Sequence, residues 1–230
     1  MSVIGENIKE VLADIEEAKK GQRVSADSNL IAVSKTKPVE DLRDAYEAGM
    51  RDFGENKVQE IMDKIPALPG DIRWHMIGHL QTNKVKYLMG KVYLIHSVDT
   101  LKLAEEISKQ SIKNNLTTDI LIEINVAGED SKFGTSDMDA NLEMIKAISE
   151  LDNVRVRGLM TIAPMTNDAE SNRPYFRKLR EFAYGTARPY IDGEPVLSMG
   201  MSGDYKVAVE EGATYVRVGS KIFGQRYYNI

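Results

Sequence analysis

Short apolar segments alternate along this chain with longer segments of helical pattern, and this alternation restricts the fold more than any other feature. Strands that alternate with helices form a parallel sheet, and about eight such units favour a closed barrel over an open sheet. A chain of 230 residues suits one such barrel. The sequence therefore predicts an α/β protein, a single-domain (β/α)8 TIM barrel spanning residues 1–230. Strands are expected at 30–34, 52–53 with its neighbours, 73–77, 92–96, 119–126, 154–160, 195–198 and 214–218, the second and seventh being the weakest.

Helices are expected between most of these strands and before the first one. Residues 4–15 carry apolar side chains at helical spacing and predict an amphipathic helix at the N-terminus. Residues 38–48 predict a second helix, with a proline at its start and a glycine after its end. Residues 203–211 predict another, with Ser202 as its N-cap. The segment 164–174 is expected to be a polar loop, too short to separate two domains.

Composition limits the kinds of partner and site. The net charge of −5, from 30 basic and 35 acidic residues, argues against a nucleic-acid binder, which usually carries a basic excess. The chain has no cysteine, which excludes disulfides and thiolate chemistry, and its three histidines lack metal-site spacing. No segment approaches the roughly 18 apolar residues of a membrane span, and the N-terminus lacks the features of a signal peptide. We therefore expect a cytoplasmic protein without a membrane or nucleic-acid partner.

Lys35 is the most informative residue on the functional face, which in such barrels is built by the loops after the strands. It follows the first strand, on the same face as Ile31 and Val33. One interpretation is a lysine whose amine reaches solvent or pairs with a carboxylate. The other is a desolvated, nucleophilic amine that attacks an aldehyde. Lys37 competes for this role, but its position before a helix favours a solvated or phosphate-facing side chain.

Two glycine-containing segments, 200–203 and 219–220, follow the last two strands. Many barrels bind phosphate after strands seven and eight. Backbone N–H groups at a helix start, together with the hydroxyls of Ser202 and Ser220, would suit that anion. Two ordinary tight turns are the alternative, and the position of both segments favours the phosphate site.

Arg217 lies within the last predicted strand. A strand arginine is more often part of a structural ion pair. In a cofactor site it would instead donate to a pyridine nitrogen and keep that nitrogen unprotonated, because arginine stays charged. The ring would then be a poorer electron sink, which disfavours transamination.

Six segments, in order over nearly the whole chain, carry a specific resemblance to the pyridoxal phosphate homeostasis protein family, also described as proline synthetase co-transcribed homologues. They are AVSKTKP (32–38), FGENKVQE (53–60), WHMIGHLQTNK (74–84), GLMTIAP (158–164), LSMGMSGD (197–204) and RVGSKIFG (217–224). The resemblance implies the barrel of fold-type III pyridoxal phosphate proteins, like the N-terminal domain of alanine racemase.

The resemblance also implies roles for individual residues. Lys35 matches the lysine that forms the Schiff base with pyridoxal 5′-phosphate. Arg217 matches the arginine at the pyridine nitrogen. The remaining matches are the phosphate contacts Ser202, Gly219 and Ser220 and the cofactor-lining residues Asn56 and Met199.

The function implied by the resemblance is homeostasis of pyridoxal 5′-phosphate, the active form of vitamin B6, without firm catalytic activity. We expect a monomer that carries or buffers the cofactor, with pyridoxal-phosphate-dependent apo-enzymes as candidate recipients. Alanine racemase uses a tyrosine from a separate β domain, and this chain ends ten residues past Ser220, so no such domain is expected. No argument places the tail residues Tyr227 and Tyr228 over the cofactor. A racemase of the same fold, and a module that signals B6 status to a partner, remain alternatives.

Overall fold

Eight parallel strands close into one barrel in the computed structural model, which describes residues 2–23, 27–129 and 133–225. The strands are β1 (Asn29–Val33), β2 (Asp52–Glu55), β3 (Arg73–Met76), β4 (Leu94–Val98), β5 (Thr118–Glu123), β6 (Val154–Met160), β7 (Val196–Ser198) and β8 (Tyr215–Val218). They pair in chain order, and β8 pairs with β1 to close the barrel. The predicted α/β barrel is confirmed. Tyr227 and Tyr228 lie outside the described residues.

Helices pack on the outside of the barrel, one before β1 and the others after individual strands. They are α1 (Val3–Lys19), α2 (Val39–Glu47), α3 (Val58–Lys64), α4 (Leu101–Lys113), α5 (Met138–Ser149), α6 (Arg173–Tyr184), α7 (Tyr205–Glu210) and α8 (Ser220–Phe223). Between β3 and β4 the connection contains a 3-10 helix, Thr82–Tyr87, in place of an α-helix. In the described part of the chain, no helix is both long enough and apolar enough to cross a membrane.

Apolar side chains form two separate clusters. The larger one lies between the barrel and the surrounding helices. A small cluster of Leu94, Leu121 and Met160 fills part of the barrel interior. Alternation along the strands explains the division, because neighbouring residues of a strand point to opposite faces of the sheet.

The N-terminal helix is longer than predicted and packs on the last two helices and on α2. The hydroxyl of Ser2 caps it by accepting a hydrogen bond from the amide of Gly5 at 3.2 Å. Ile8, Val11 and Ile15 are buried, as their spacing predicts. Leu12, included in the predicted apolar face, is 40% exposed because it lies beside that face.

Two local predictions are wrong. Ser202 is not the N-cap of α7, which is preceded by Asp204, and its hydroxyl accepts instead from the amide of Gly219. The segment 164–174 is a loop only in its first half, since Asp168 caps a 3-10 turn that leads into α6. The side chain of Asn172, which is buried, donates to Asp204 Oδ2 at 2.7 Å and fixes this turn against the site loop.

The strand register shifts at two places in the barrel, between β4 and β5 and between β5 and β6, and the second shift is a bulge at Gly158. Ile120 pairs with Val156, but Leu121 pairs with Gly158, so β6 contains one residue more than its partner at this point. Gly158 has φ +155°, and a Cβ there would lie 2.0 Å from the carbonyl oxygen of Val196. No side chain fits at this position without moving β7.

We expect Gly158→Ala to lower the free energy of unfolding by about 3 kcal/mol, the upper range for overpacking. Gly70→Ala is the matched control, because a Cβ there meets no atom within 4 Å. Urea denaturation of both variants measures the difference. Equal stability of the two variants would contradict the described bulge.

Candidate functional site

A cavity of about 340 Å³ lies at the carboxyl ends of the strands. Six of the seven residues singled out in the sequence line it together, although they come from the ends of four different strands. They are Lys35, Asn56, Ser202, Arg217, Gly219 and Ser220. The barrel brings these residues together because the loops after β1, β2, β7 and β8 meet at this end.

Lys35 continues the inward-facing side of β1. Val33 also lines the cavity, and Ile31, two residues earlier, is fully buried inside the barrel. Lys35 itself is partly buried. The predicted alternation therefore places its side chain at the cavity.

A buried ionic cluster holds the backbone on either side of Lys35. The Lys64 amine donates to Ser34 O at 2.9 Å, to Glu55 Oε1 at 2.7 Å and to Glu60 Oε2 at 3.0 Å. Glu60 Oε2 also accepts from the amide of Thr36 at 2.7 Å. Thr36 has φ +62°, a conformation that non-glycine residues rarely adopt and that other contacts must maintain. Lys64 and Glu60 supply those contacts.

Glu55 depends on Lys64 for its charge. Its side chain is fully buried, and Oε2 has no hydrogen-bond partner in the part of the chain that the structure describes. Burial raises the pKa of Glu55, and the ammonium of Lys64 opposes this shift. Removing Lys64 would leave a buried carboxyl group without its cation.

We expect Lys64→Met to lower the free energy of unfolding by about 3–5 kcal/mol, as for other broken buried ion pairs. Lys113→Met, at an exposed position on α4, is the control and should stay near wild type. Chemical denaturation at neutral pH gives both values. A loss below about 1 kcal/mol for Lys64→Met, typical of exposed pairs, would contradict the structural role of this cluster.

The turns after β7 and β8 form a concave backbone surface. Ser202 Oγ accepts from the amide of Gly219 at 3.2 Å, which joins the two turns. Within the described residues, the amides of Ser202 and Gly203 have no acceptor. Gly200 has φ +89°, and a Cβ there would lie 2.5 Å from the Cβ of Ala208. These amides and the hydroxyl of Ser220 form a surface that suits an anion such as phosphate.

Arg217 forms the polar floor of the cavity. Its side chain is buried, and the guanidinium donates to Ser198 Oγ at 2.6 Å and to the carbonyl oxygen of Thr161 at 2.8 Å. In the described chain no carboxylate lies within ion-pair distance of it. Burial lowers the pKa of Arg217 to about 10, against the attraction of Glu123 and Asp204. An arginine held by neutral groups retains N–H donors for a ligand in the cavity.

Glu123 ends β5 on the same face as the interior residue Leu121. Burial raises its pKa to about 7, the nearby carboxylate of Asp99 adds to the shift, and Arg217 opposes it. The folded-state pKa of Glu123 lies above its ordinary value of 4.5. Its contribution to stability is therefore complete below pH 4.5 and is lost as the pH rises through about 7.

Glu123→Gln should therefore be more stable than wild type at about pH 8, by roughly 3 kcal/mol, and equal to it at about pH 4. Glu105→Gln, at an exposed position, serves as the control and should follow wild type at both pH values. Urea denaturation at both pH values measures the difference in the free energy of unfolding between the variant and wild type. A variant that is less stable than wild type at the higher pH would show that Glu123 is needed as a carboxylate.

The structure corrects the placement of Met199. Its side chain is fully buried in the core outside the barrel and does not line the cavity. Met199 points away because it follows Ser198, whose side chain faces the barrel interior, and neighbouring strand residues face opposite sides. Gly200, with φ +89°, interrupts the extended backbone, and Met201 beyond it lines the cavity. Ile162 and Met165 line it as well.

Lys37 lines the cavity and His79 lies beside it, and the side chains of both have other partners. The Lys37 amine donates to the carbonyl oxygen of Phe223 at 2.7 Å, so it binds the end of α8. His79 stacks on Phe133 at 3.9 Å between ring centroids and lines a neighbouring cavity of about 620 Å³. That larger cavity shares Asn56 with the first one but contains none of the other five predicted site residues.

Sequence reasoning missed Lys64 and Ser198. The i,i+4 spacing of Glu60 and Lys64 predicts a helical ion pair, but nothing in it shows that the pair is buried under the Lys35 loop. Ser198 ends a three-residue strand, too short for its alternation to predict which side chains face inward. Both residues act through neighbours that are distant in sequence.

Comparison with known proteins gives one consistent family. A family model described as alanine racemase, N-terminal domain, matches residues 12–227. The pyridoxal phosphate homeostasis protein of Aquifex aeolicus is 49% identical over 225 residues, covering 97% of this chain and 98% of that protein. The structure of PipY from Synechococcus elongatus with pyridoxal phosphate bound superposes with a TM-score of 0.82 at 34% identity, covering 96% of this chain and all of PipY.

Enzymes of the same fold are more distant. Alanine racemase from Streptomyces coelicolor has a TM-score of 0.73 at 16% identity, and the match covers 97% of this chain but 58% of the racemase. This likeness shows the barrel fold and nothing about activity.

Proposed function

This chain belongs to the pyridoxal phosphate homeostasis protein family, and from that premise we propose that it binds pyridoxal 5′-phosphate through an imine to Lys35. We further propose that it carries or buffers the cofactor in the cytoplasm. The observation that carries the proposal is one cavity, which is lined by Lys35, by Arg217 and by the two turns that contain Ser202 and Ser220. The related protein PipY has been solved with pyridoxal phosphate bound, which supports the same ligand here.

The donor groups of the cavity fit this cofactor. Lys35 supplies a primary amine for the aldehyde. The backbone amides of Ser202 and Gly203, with the hydroxyl of Ser220, supply donors for the phosphate. Arg217 supplies N–H donors for the pyridine nitrogen. A volume of about 340 Å³ falls at the small end of ligand pockets, which suits one phosphorylated ring.

The arrangement favours holding the cofactor over using it. Pyridoxal phosphate, when bound, supplies an electron sink for carbanion chemistry. Arg217 would donate to the ring nitrogen and so keep it unprotonated, which would weaken that sink. The amine of Lys37, the other lysine lining the cavity, is engaged by Phe223 O. The curated relative from Aquifex aeolicus bears the name of a homeostasis protein. We therefore propose a carrier without catalytic turnover.

The partners follow from that role. A carrier that binds through a reversible imine can release its cofactor to any protein with a competing amine. Apo-enzymes that depend on pyridoxal phosphate are the proposed recipients, and the carrier is proposed to act as a monomer with one barrel over residues 1–230. Transfer to a purified apo-enzyme, monitored by the activity that the recipient gains, would test this.

Lys35→Ala should abolish the visible absorbance band that wild-type protein acquires with pyridoxal phosphate, because the amine of the other cavity lysine, Lys37, is hydrogen-bonded to Phe223 O. Lys57→Ala is the control, since Lys57 is exposed and lines only the neighbouring cavity. Absorbance titration with the cofactor measures all three proteins. A full band in Lys35→Ala would contradict the assignment of Lys35.

Catalysis is tested separately from binding. The loaded protein should exchange the Cα hydrogen of L-alanine for deuterium no faster than Lys35→Ala does, because the proposed role includes no proton transfer at Cα. Proton NMR in deuterium oxide follows the exchange. Exchange that requires Lys35 would identify a racemase-like enzyme and reject the carrier role.

A further inference from the structure

A chain of hydrogen bonds runs through the barrel interior from the cavity floor to the opposite end of the barrel. Arg217 Nη1 donates to Ser198 Oγ at 2.6 Å, and Ser198 Oγ lies 2.8 Å from His96 Nδ1. His96 Nε2 lies 2.9 Å from His75 Nδ1. His75 Nε2 lies 2.9 Å from Asp52 Oδ1. We call Ser198, His96, His75 and Asp52 the interior chain.

The two ends of the interior chain fix the direction of every hydrogen bond. Arginine has no acceptor, so Ser198 accepts from Arg217 and must place its own proton elsewhere. Within the described residues, the remaining partner of that hydroxyl is His96 Nδ1. His96 therefore carries its proton on Nε2 and donates it to His75. His75 in turn carries its proton on Nε2 and donates it to Asp52.

The electrostatics of the interior chain agree with these tautomers. Both histidines are fully buried, and burial holds their pKa values below the ordinary one, that of His96 well below because His75 and Arg217 add to the shift. Burial also opposes the charge of Asp52. Hydrogen bonds from Arg73 and His75 exceed that effect, so the pKa of Asp52 lies below its usual range. The interior chain is thus neutral in the middle and charged at Asp52.

Aromatic rings keep this polar chain in place inside an apolar barrel. The ring of His75 packs against Tyr93 at 5.5 Å and against Tyr215 at 5.2 Å between centroids. The outer end is fixed by Arg73, whose Nε donates to Asp52 Oδ1 at 2.7 Å. These contacts hold His75 and Asp52 in defined orientations. A buried network whose polar groups all have partners is rigid.

We propose that the interior chain positions the Arg217 guanidinium as a donor to the ring nitrogen of the cofactor and so keeps that nitrogen unprotonated. The inference rests on the proposed binding of pyridoxal phosphate at Lys35. Ser198 and the carbonyl of Thr161 each bind one nitrogen of the guanidinium. The orientation of its remaining N–H groups follows from these two contacts. Glu123 and Asp204 are the carboxylates that act on Arg217 from the neighbouring elements.

Ser198 is the member whose loss breaks this arrangement most directly. Without its hydroxyl, Arg217 loses the acceptor of Nη1, and His96 Nδ1 becomes a buried acceptor without a donor. An unpaired buried group drives its neighbours to rearrange. The guanidinium then turns toward other acceptors, and the ring nitrogen becomes free to take a proton.

The test uses full-length protein loaded with pyridoxal phosphate labelled with ¹⁵N in the ring. In wild type, the ¹⁵N chemical shift should be independent of pH across the range in which the protein is folded. In Ser198→Ala it should move with pH as the nitrogen gains a proton, and the Kd for the cofactor should rise about tenfold, equivalent to 1.4 kcal/mol. A role limited to packing would lower stability without making the ring nitrogen titrate.

Ser111→Ala is the matched control, since Ser111 is also fully buried but binds Thr118 on the outside of the barrel. It should keep the pH-independent ¹⁵N shift. His96→Leu replaces the next member by an apolar side chain of similar size and should also make the nitrogen titrate; if it does not fold, Ser198→Ala decides alone. A Ser198→Ala protein that loads and gives the wild-type ¹⁵N profile overturns the inference. Wild type that does not load overturns the proposed function itself.

Discussion

The pairing of β8 with β1 is the interaction on which the site depends. Its register sets Ile31 opposite Arg217 and Ala32 opposite Val218. Lys35 then lies beyond the same strand edge as the turn that begins at Gly219. A Cβ on Gly219 would approach Val33 to 3.3 Å, so the two strand ends are in close contact. Barrel closure therefore brings Lys35, near the N-terminus, to the glycine turns and the buried Arg217 near the C-terminus.

Two buried cations are stabilised in different ways, and the difference explains their roles. Lys64 is surrounded by the carboxylates of Glu55 and Glu60 and has no donor left for a ligand. Arg217 is held by a hydroxyl and a carbonyl oxygen. A buried cation without a bound carboxylate is destabilising. Here the Ser198 hydroxyl and the Thr161 carbonyl group stabilise the charge, and the hydrogen bonds of Ser198 continue through the two histidines to Asp52. Lys64 thus stabilises the loop of Lys35, while Arg217 remains available to the cavity.

Sequence patterns predicted the barrel and most of the site because both follow from periodicity and from chain position. The alternation through Ile31 and Val33 predicted an inward Lys35, and the position of the glycine turns after the last two strands predicted that they lie at the same end of the barrel. Met199 was expected at the site from the family resemblance alone, and in this barrel its side chain lies in the core outside the strands. Sequence patterns could not show the Lys64 cluster or the interior chain, because those contacts join residues up to 102 positions apart, as between His96 and Ser198. Such contacts are determined by the closed barrel and not by local propensity.

Covalent attachment of pyridoxal 5′-phosphate to Lys35 is tested most directly by borohydride reduction of the loaded protein, followed by peptide mapping with mass spectrometry. Reduction converts a labile imine into a stable secondary amine and so preserves the position of the cofactor. One modified peptide is expected, with the cofactor mass on Lys35 and none on Lys37. The cofactor mass on another lysine, or on none, would contradict the site described for this barrel.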